Sequence, residues 1–429
     1  MILSRQQRVV PVSEGQLRVL LVGMAPVAER PGGGNRYLED LRHALTRLGA
    51  KNHTLLLSGQ SCDLPGVTVV GNPDRAVWWR VLAFARQIAR QADDADVLNT
   101  HFALYGMAAS LSRRGRRLPL VVHFQGPWAE ESAVAGRARW AALRMKLAVE
   151  TYHYRRADEL ITLSQQFADI LIKDYGVQPG RVSVIAPGVD LEAFRPGASV
   201  VARRQLGLPE DCFIAVAVRR LTARMGLEQL IEAWSVVPTG ALLVLAGEGD
   251  EHARLEQLIS SLGLSERVRL LGRIADVDLP RLYRAANVSV VPTLALEGFG
   301  LVVLESLACG TPVIASNTGG MAEVLPDLSP DCLVPPGDVH ALAARLSRAA
   351  ARPQDEPKAE TCRHFAEGFS WDSKAQEVLE IFQRAAVRTR RTSATVRPGR
   401  RSPTPTSSET LLAVETARTQ FLPSWLRRS

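Results

Sequence analysis

Short apolar runs alternate with longer stretches in which apolar residues return every three or four positions, from LRVLLVG (17–23) almost to position 388. Such alternation predicts βαβ units, whose parallel strands are buried on both faces. Strands are expected near LRVLLVG, HTLLL, DVLNTH, PLVVHF and ELITLS in the first half, and near CFIAVAV, ALLVLAG, VRLLG, VSVVPT and TPVIAS in the second. Between the two sets, VSVIAPGVDLEAFRPG (182–197) is punctuated by Pro187, Gly188, Pro196 and Gly197, which marks a hinge. The expected organisation is an α/β chain of two doubly wound domains, 1–190 and 191–370, facing one another across a cleft. A last helical period, WDSKAQEVLEIFQRAAV (371–387), makes 371–388 a closing helix that crosses back to the first domain. Beyond it the chain is rich in Arg, Ser, Thr and Pro and holds too little apolar surface to fold, so 389–429 is expected to be a disordered tail.

Composition narrows the class. With 46% hydrophobic and 22% charged residues the 429-residue chain reads as soluble and globular, with room for two or three domains. No segment approaches eighteen uninterrupted apolar residues, and the opening MILSRQQRVVPVSEG lacks the apolar core of a secretory signal, so the expected location is the cytoplasm. The five cysteines (Cys62, Cys212, Cys309, Cys332, Cys362) never form a CxxC pair, which suggests small buried residues rather than disulfides or a zinc site. Nine arginines against two acids from Arg388 onward carry +7 of the net +8, so the basic excess sits mainly in the tail and nucleic acid is not an expected partner. The final ETLLAVETARTQFLPSWLRRS sets leucines, a Phe and a Trp beside arginines; it suits an anionic membrane surface, with an untethered tail as the plain alternative.

Two facing Rossmann-like domains direct ligands to the carboxyl ends of their strands. After LRVLLVG, Gly32, Gly33 and Gly34 immediately precede a helix, where bare backbone N–H groups suit an anionic group such as a diphosphate; a tight connection would use the same residues. No GxGxxG fingerprint follows that strand. A second pattern, EGFGLVVLE (297–305), sets Glu297 on a loop, a Gly-Phe-Gly turn at the start of a helix, and Glu305 on that helix's second turn. The N–H groups of Phe299, Gly300, Leu301 and Val302 lie between the two carboxylates, at the positive end of the helix dipole. Carboxylate, anion cradle, carboxylate is the order that a sugar nucleotide matches with sugar hydroxyls, diphosphate and ribose hydroxyls.

EGFGLVVLESLACGTPVIAS (297–316) resembles the signature of the retaining family 4 glycosyltransferases, which have the two-domain GT-B architecture and a Glu-x7-Glu motif. VRRLTARMGLEQLIEA (218–233), LAGEGDEHARLEQL (245–258), LLGRIADVDLPRLYRAANV (270–288) and NTGGMAEVL (317–325) are similar to that family's second domain in order and spacing. The resemblance implies a uridine or guanosine diphosphate sugar as donor, bound by the second domain, and an acceptor bound by the first. It implies that Glu305 holds the donor ribose, that Glu297 contacts hydroxyls of the transferred sugar, and that Gly300, Leu301 and Val302 present N–H groups to the distal phosphate. Arg220 would neutralise the departing diphosphate, Gly33 and Gly34 would complete the phosphate site, and no metal or other cofactor would be needed.

Two positions depart from the family. Met225 stands where the family usually has a lysine, which removes a positive charge unless Arg224 supplies it. Gln125, in VVHFQGPW, stands where many relatives have a histidine that contacts the donor sugar; it could hydrogen-bond a sugar hydroxyl but not act as a base, whereas His123, two residues earlier on the same face of the strand, is the expected base, with a satisfied histidine at a strand end as the alternative. His101, in LNTHFALYG, is expected on the acceptor side or in a structural role. Asp94-Ala95-Asp96 reads as a metal-binding DxD, but its place before a strand, away from the cleft, makes it an acidic turn. The Trp- and Arg-rich stretches 76–90, 112–119 and 126–140 suggest a glycan or lipid-linked acceptor and contact with the inner face of a membrane, against ordinary amphipathic helices. The competing readings are a sugar-nucleotide epimerase of the same architecture, a non-catalytic nucleotide-sugar-binding protein, and, weakest for want of a fingerprint, a nicotinamide oxidoreductase.

Overall fold

The computed structural model describes residues 16–60, 64–134, 136 and 139–395. Seven strands make the first sheet: β1 (Arg18–Val22), β2 (Lys51–Leu57), β3 (Val67–Gly71), β4 (Val97–Thr100), β5 (Leu120–Phe124), β6 (Glu159–Thr162) and β7 (Val182–Val184). Six make the second: β8 (Ile214–Val218), β9 (Leu242–Ala246), β10 (Val268–Gly272), β11 (Val288–Val291), β12 (Val313–Ser316) and β13 (Leu333–Val334). Every pairing is parallel, and the orders are β3-β2-β1-β4-β5-β6-β7 and β10-β9-β8-β11-β12-β13. In each sheet the winding reverses beside its first strand, between β1 and β4 and between β8 and β11, which opens a crevice at the carboxyl ends. The expected two doubly wound sheets are both present.

All ten strands expected from the sequence form, and three unexpected ones join them: β3, β7 and β13. Each is an outermost strand of its sheet and none is fully buried, so their sequences lack the continuous apolar runs of central strands. The first residues of the expected hinge are thus β7. The chain crosses between domains twice, side by side: Val189 N–H donates to Phe369 O at 2.8 Å, and Val189 and Ser370 form a parallel bridge. Gly188 permits that approach, since a β-carbon there would lie 2.5 Å from the Trp371 ring.

Helices cover both faces of both sheets. On one face of the first, Tyr37 and Leu41 of the helix Gly33–Arg47 pack with Trp371, Ala375 and Phe382 of the last helix, over Val121 and Ile161. That helix runs Trp371–Thr395, past the expected end at 388, because no helix-breaking residue intervenes before Pro398. Residues 396–429, including the stretch expected at a membrane, lie outside the described residues. Cys309, Cys332 and Cys362 are buried and Cys212 is half-buried; Cys62 lies outside the described residues. Among the described residues no helix is long and apolar enough to cross a membrane.

Candidate functional site

A cleft of about 450 Å³ lies between the carboxyl ends of the two sheets. Its second-domain wall is the loop and helix that follow β11. Leu296 has φ of 56°, a left-handed conformation that side chains other than glycine rarely adopt, and its carbonyl accepts from Arg224 Nη1 at 3.0 Å. The loop rests on the Gly319–Gly320 pair: Gly320 N–H donates to Gly298 O at 3.2 Å, and a β-carbon on Gly319 would sit 1.9 Å from Glu297 O. Gly300 then takes φ of 83° and starts the helix Leu301–Ala308. The N–H groups of Leu301 and Val302 precede the first in-helix partnership of this turn, Val303 N–H to Gly300 O at 2.9 Å.

The two carboxylates have different surroundings. Glu297 Oε2 accepts from Arg219 Nη2 and, at 3.1 Å, from Thr293 Oγ1. Burial would push the Glu297 carboxyl up, but the Arg219 guanidinium outweighs it, helped by Arg224 and the Thr293 hydroxyl, and holds it below the ordinary carboxylate range. Glu305 is half-buried and accepts from Tyr283 OH at 2.9 Å; burial pushes its carboxyl above the ordinary range, and the Tyr283 hydroxyl and Arg36 only partly offset that. The chain therefore keeps Glu297 ionised more firmly than Glu305.

The surroundings of Met225 are set by the neighbouring arginines. Arg219, not Arg224, lies against Met225, with Nη2 2.9 Å from Sδ, and the same Nη2 reaches Thr293 and Glu297. Arg224 spans the domains instead, pairing with Glu131 at 3.4 Å. Arg220 is exposed and faces the first domain: a β-carbon on Gly32 would lie 4.0 Å from its Nη2.

The first-domain wall is built by the ends of β1, β4 and β5. Gly33 and Gly34 open the helix Gly33–Arg47, which carries Arg36 into the cleft, where it pairs with Asp276 of the second domain. Gln125, just past β5, donates from Nε2 to His101 Nδ1 at 2.8 Å; His101 follows β4. His123 does not offer the expected base. It is 2% exposed, and its Nδ1 accepts from Asn99 Nδ2 at 2.8 Å, so the proton sits on Nε2 and no lone pair is free. Burial also drives His123 well below its ordinary pKa and His101 to about 3, so both rings are neutral. Trp128 and Glu131 complete this wall from the helix Trp128–Val134, whose first N–H groups are capped by Glu150: Trp128 N to Oε1 at 2.8 Å and Ala129 N to Oε2 at 3.0 Å.

The residues expected from sequence to bind the donor or act in catalysis thus line one cleft: Glu297, Glu305, Phe299, Gly300, Leu301 and Val302 on one side with Arg220 and Arg224, and Gly33, Gly34, His123 and Gln125 opposite. Sequence reasoning missed Arg219, Tyr283, Arg36 and Glu131. Only Arg219 carried a signal, as a second arginine at the carboxyl end of a strand beside Arg220; tertiary packing alone brings Arg36 and Glu131 to the cleft wall and the buried Tyr283 behind Glu305. Asp96 is at the opposite end of the sheet, where its Oδ2 accepts from Arg18 N–H at 3.0 Å. Among the described residues no three His, Cys, Asp or Glu side chains are grouped as metal ligands.

Comparison with known proteins adds to this geometry. A family profile described as "Glycosyl transferases group 1" matches residues 201–368, and one described as "Glycosyltransferase Family 4" matches residues 31–193. D-inositol 3-phosphate glycosyltransferase 1 of Catenulispora acidiphila is 33% identical over 331 residues, covering 73% of this chain and 78% of that protein. The D-inositol 3-phosphate glycosyltransferase of Saccharomonospora viridis is 32% identical over 314 residues, covering 70% and 73%. Among solved structures, the sucrose-phosphate synthase of Thermosynechococcus elongatus superposes with a TM-score of 0.74 at 26% identity, over 87% of this chain and 100% of that one. Anabaena HepE, solved with UDP and glucose, gives 0.74 at 23% identity over 86% and 100%, a likeness of fold. Both halves match in order, the relatives align over more than two thirds of their own length, and two parallel sheets face one cleft: the chain belongs to the family 4 glycosyltransferases of GT-B architecture.

Proposed function

We propose that this glycosyltransferase moves a sugar from a nucleotide diphosphate donor to an acceptor hydroxyl with retention of configuration and without a metal. The observation that supports this reading best is the row of Glu297, the N-terminus of the helix Leu301–Ala308, and Glu305 along one wall, with Gly33–Gly34 and Arg220 facing it. Sugar hydroxyls fit at Glu297, the diphosphate between the helix end and Arg220, and the ribose at Glu305. In the reaction the bond from the anomeric carbon to the diphosphate breaks, the diphosphate leaves towards the helix N-terminus and Arg220, and the acceptor oxygen bonds to the same face. The acceptor's proton goes to the departing phosphate oxygen. Guanidinium groups and helix N–H groups stabilise the charge that develops on the leaving group, the task a metal would otherwise take.

The acceptor is proposed to enter along the first domain, where Trp128 and Phe102, with ring centroids 5.1 Å apart, line the cleft and supply aromatic surface for a sugar ring. A glycan or lipid-linked acceptor is favoured by the exposed, stacked Trp78–Trp79 pair beside Val77 and Leu82, which suits a membrane interface near the same domain. The relatives' name places D-inositol 3-phosphate in the acceptor panel as well.

Thermal-shift screening of the full chain against nucleotide sugars, followed by transfer assays on the donors that bind, tests the reading. One donor class is expected to stabilise the protein and to be consumed only with acceptor, with or without chelator. Glu297→Ala is expected to lower kcat by at least ~100-fold, the order seen when one electrostatic contact to a reacting group is removed. Near-normal turnover of that variant would sink the assignment. Isomerised donor without acceptor would favour an epimerase, and binding without turnover a sensor.

A further inference from the structure

Gln125 ends in an amide, which has one face that donates and one that accepts. The surrounding hydrogen bonds decide which face the cleft receives. They can be read from a backbone carbonyl, which only accepts. Asn99 Nδ2 lies 3.1 Å from Val121 O, so the Asn99 NH2 must point there, a placement consistent with the β4–β5 register that sets Asn99 opposite Val121. The same NH2 meets His123 Nδ1 at 2.8 Å, and Asn99 Oδ1 is left for His101 Nε2, also at 2.8 Å. Oδ1 only accepts, so His101 carries its proton on Nε2 and its Nδ1 accepts. Gln125 therefore turns its NH2 to His101 Nδ1, at 2.8 Å, and its carbonyl oxygen away from it. That oxygen lies over Gly34, where a β-carbon would approach it to 2.3 Å.

We propose that His101 is a positioning residue, which through the neutral chain Asn99–His101–Gln125 locks the Gln125 carbonyl oxygen towards the cleft as an acceptor for one hydroxyl of the donor sugar. The inference rests on the reading of the cleft as a nucleotide-sugar site. Each group in the chain has one orientation, fixed by the Val121 carbonyl. His101 and His123 stack at 4.4 Å with planes 8° apart, so neither ring can turn without displacing the other. The titratable groups facing His101 are the rings of His123 and Tyr37. Burial keeps His101 neutral, and its pKa of about 3 means that the lock holds across the physiological range.

Imidazole 15N NMR of the full chain, labelled at histidine and assigned by substitution, reads the chain of bonds without any substrate. His101 is expected as the neutral Nε2–H tautomer from pH 5 to 9. In Gln125→Glu, acceptors face both His101 nitrogens, so only the imidazolium satisfies them and a His101 titration is expected to rise into that range. The Nδ1–H tautomer in the wild-type chain, or a His101 titration unmoved by Gln125→Glu, would overturn the proposal. The kinetic arm uses UDP-glucose and its monodeoxy analogues, or the corresponding set for whichever donor the screen selects. Wild type is expected to disfavour one deoxy analogue by about tenfold, the worth of one net hydrogen bond. His101→Phe, which keeps a stacking ring, is expected to lose that discrimination while UDP affinity stays within about twofold. Unchanged discrimination in His101→Phe overturns the positioning role. Failure of the wild-type chain to bind any nucleotide sugar would overturn the functional reading instead, with the NMR result still deciding the tautomer.

Discussion

Arg219 meets three acceptors with one nitrogen: the Met225 sulfur, the Thr293 hydroxyl and the Glu297 carboxylate. Its side chain is 6% exposed and that of Glu297 13%, so water cannot replace either partner. Arg219→Gln is expected to cost about 3–5 kcal/mol of stability, because a buried carboxylate loses its counter-charge; denaturant midpoints measure it. A lower kcat should accompany it, since the same change frees Glu297 to take a proton. The paired carboxylates also set the pH response. Glu305 lies above the ordinary range and Glu297 below it, so as pH falls Glu305 protonates first. Donor KM should therefore rise at a higher pH than the one at which kcat declines. Tyr283→Phe removes a hydrogen bond that favours the ionised Glu305, raising its pKa further, and the KM limb should move to higher pH with the kcat limb unmoved. The two glutamates and their order were legible in the sequence, because eight positions across a glycine turn and a helix start leave little choice of geometry. Arg219, Tyr283 and Arg36 were not, because their roles depend on which neighbours the folded sheets deliver.

At the scale of elements, the loop holding Glu297 is shaped by glycines far from it in sequence. Gly319 has φ of 60°, and a β-carbon there would overlap Glu297 O at 1.9 Å. Gly319→Ala should displace the loop rather than unfold the domain. The expected result is a fall in kcat of at least ~10-fold, about 1.4 kcal/mol of lost transition-state stabilisation, with Tm lowered by only a few degrees. Unchanged kcat with unchanged Tm would mean that the loop yields without moving Glu297. Strand legibility largely follows burial: nine of the ten readable strands lie inside the sheets, with β10 the exception at an edge, whereas β3, β7 and β13 all sit at sheet edges and are specified by pairing with a neighbour that is already placed.

For the whole molecule, closure is made by contacts that no local pattern encodes. Gln165 and Gln166 N–H groups, at the start of the helix Gln165–Lys173, donate to Glu323 at 2.9 and 3.0 Å, and Gly319 N–H donates to Gln166 Oε1 at 2.7 Å. Arg36–Asp276 and Arg224–Glu131 join the same two bodies from opposite walls. The last helix fixes the return crossing: Trp371 is 4% exposed, stands against Gly188 and meets the Tyr37 ring edge-on at 5.1 Å. Trp371→Ala should cost about 3–5 kcal/mol, the usual range for emptying a large buried aromatic site, and equilibrium unfolding measures it. Loss of that contact reaches the cleft, because Tyr37 also stands 5.3 Å from His123.

The sequence by itself determined the two parallel sheets, the helix start at Gly300, the glycine start at Gly33 and the carboxylate spacing, since apolar periodicity and backbone geometry act over a few residues at a time. Only the tertiary structure decided that Arg219 packs against Met225 and pairs with Glu297, that His123 is a neutral buried ring without a free lone pair, and that Gln125 turns its amide NH2 to His101 and its carbonyl over Gly34. Those outcomes depend on burial and on hydrogen-bond partners drawn from separate strands, and both exist only once the sheets have assembled.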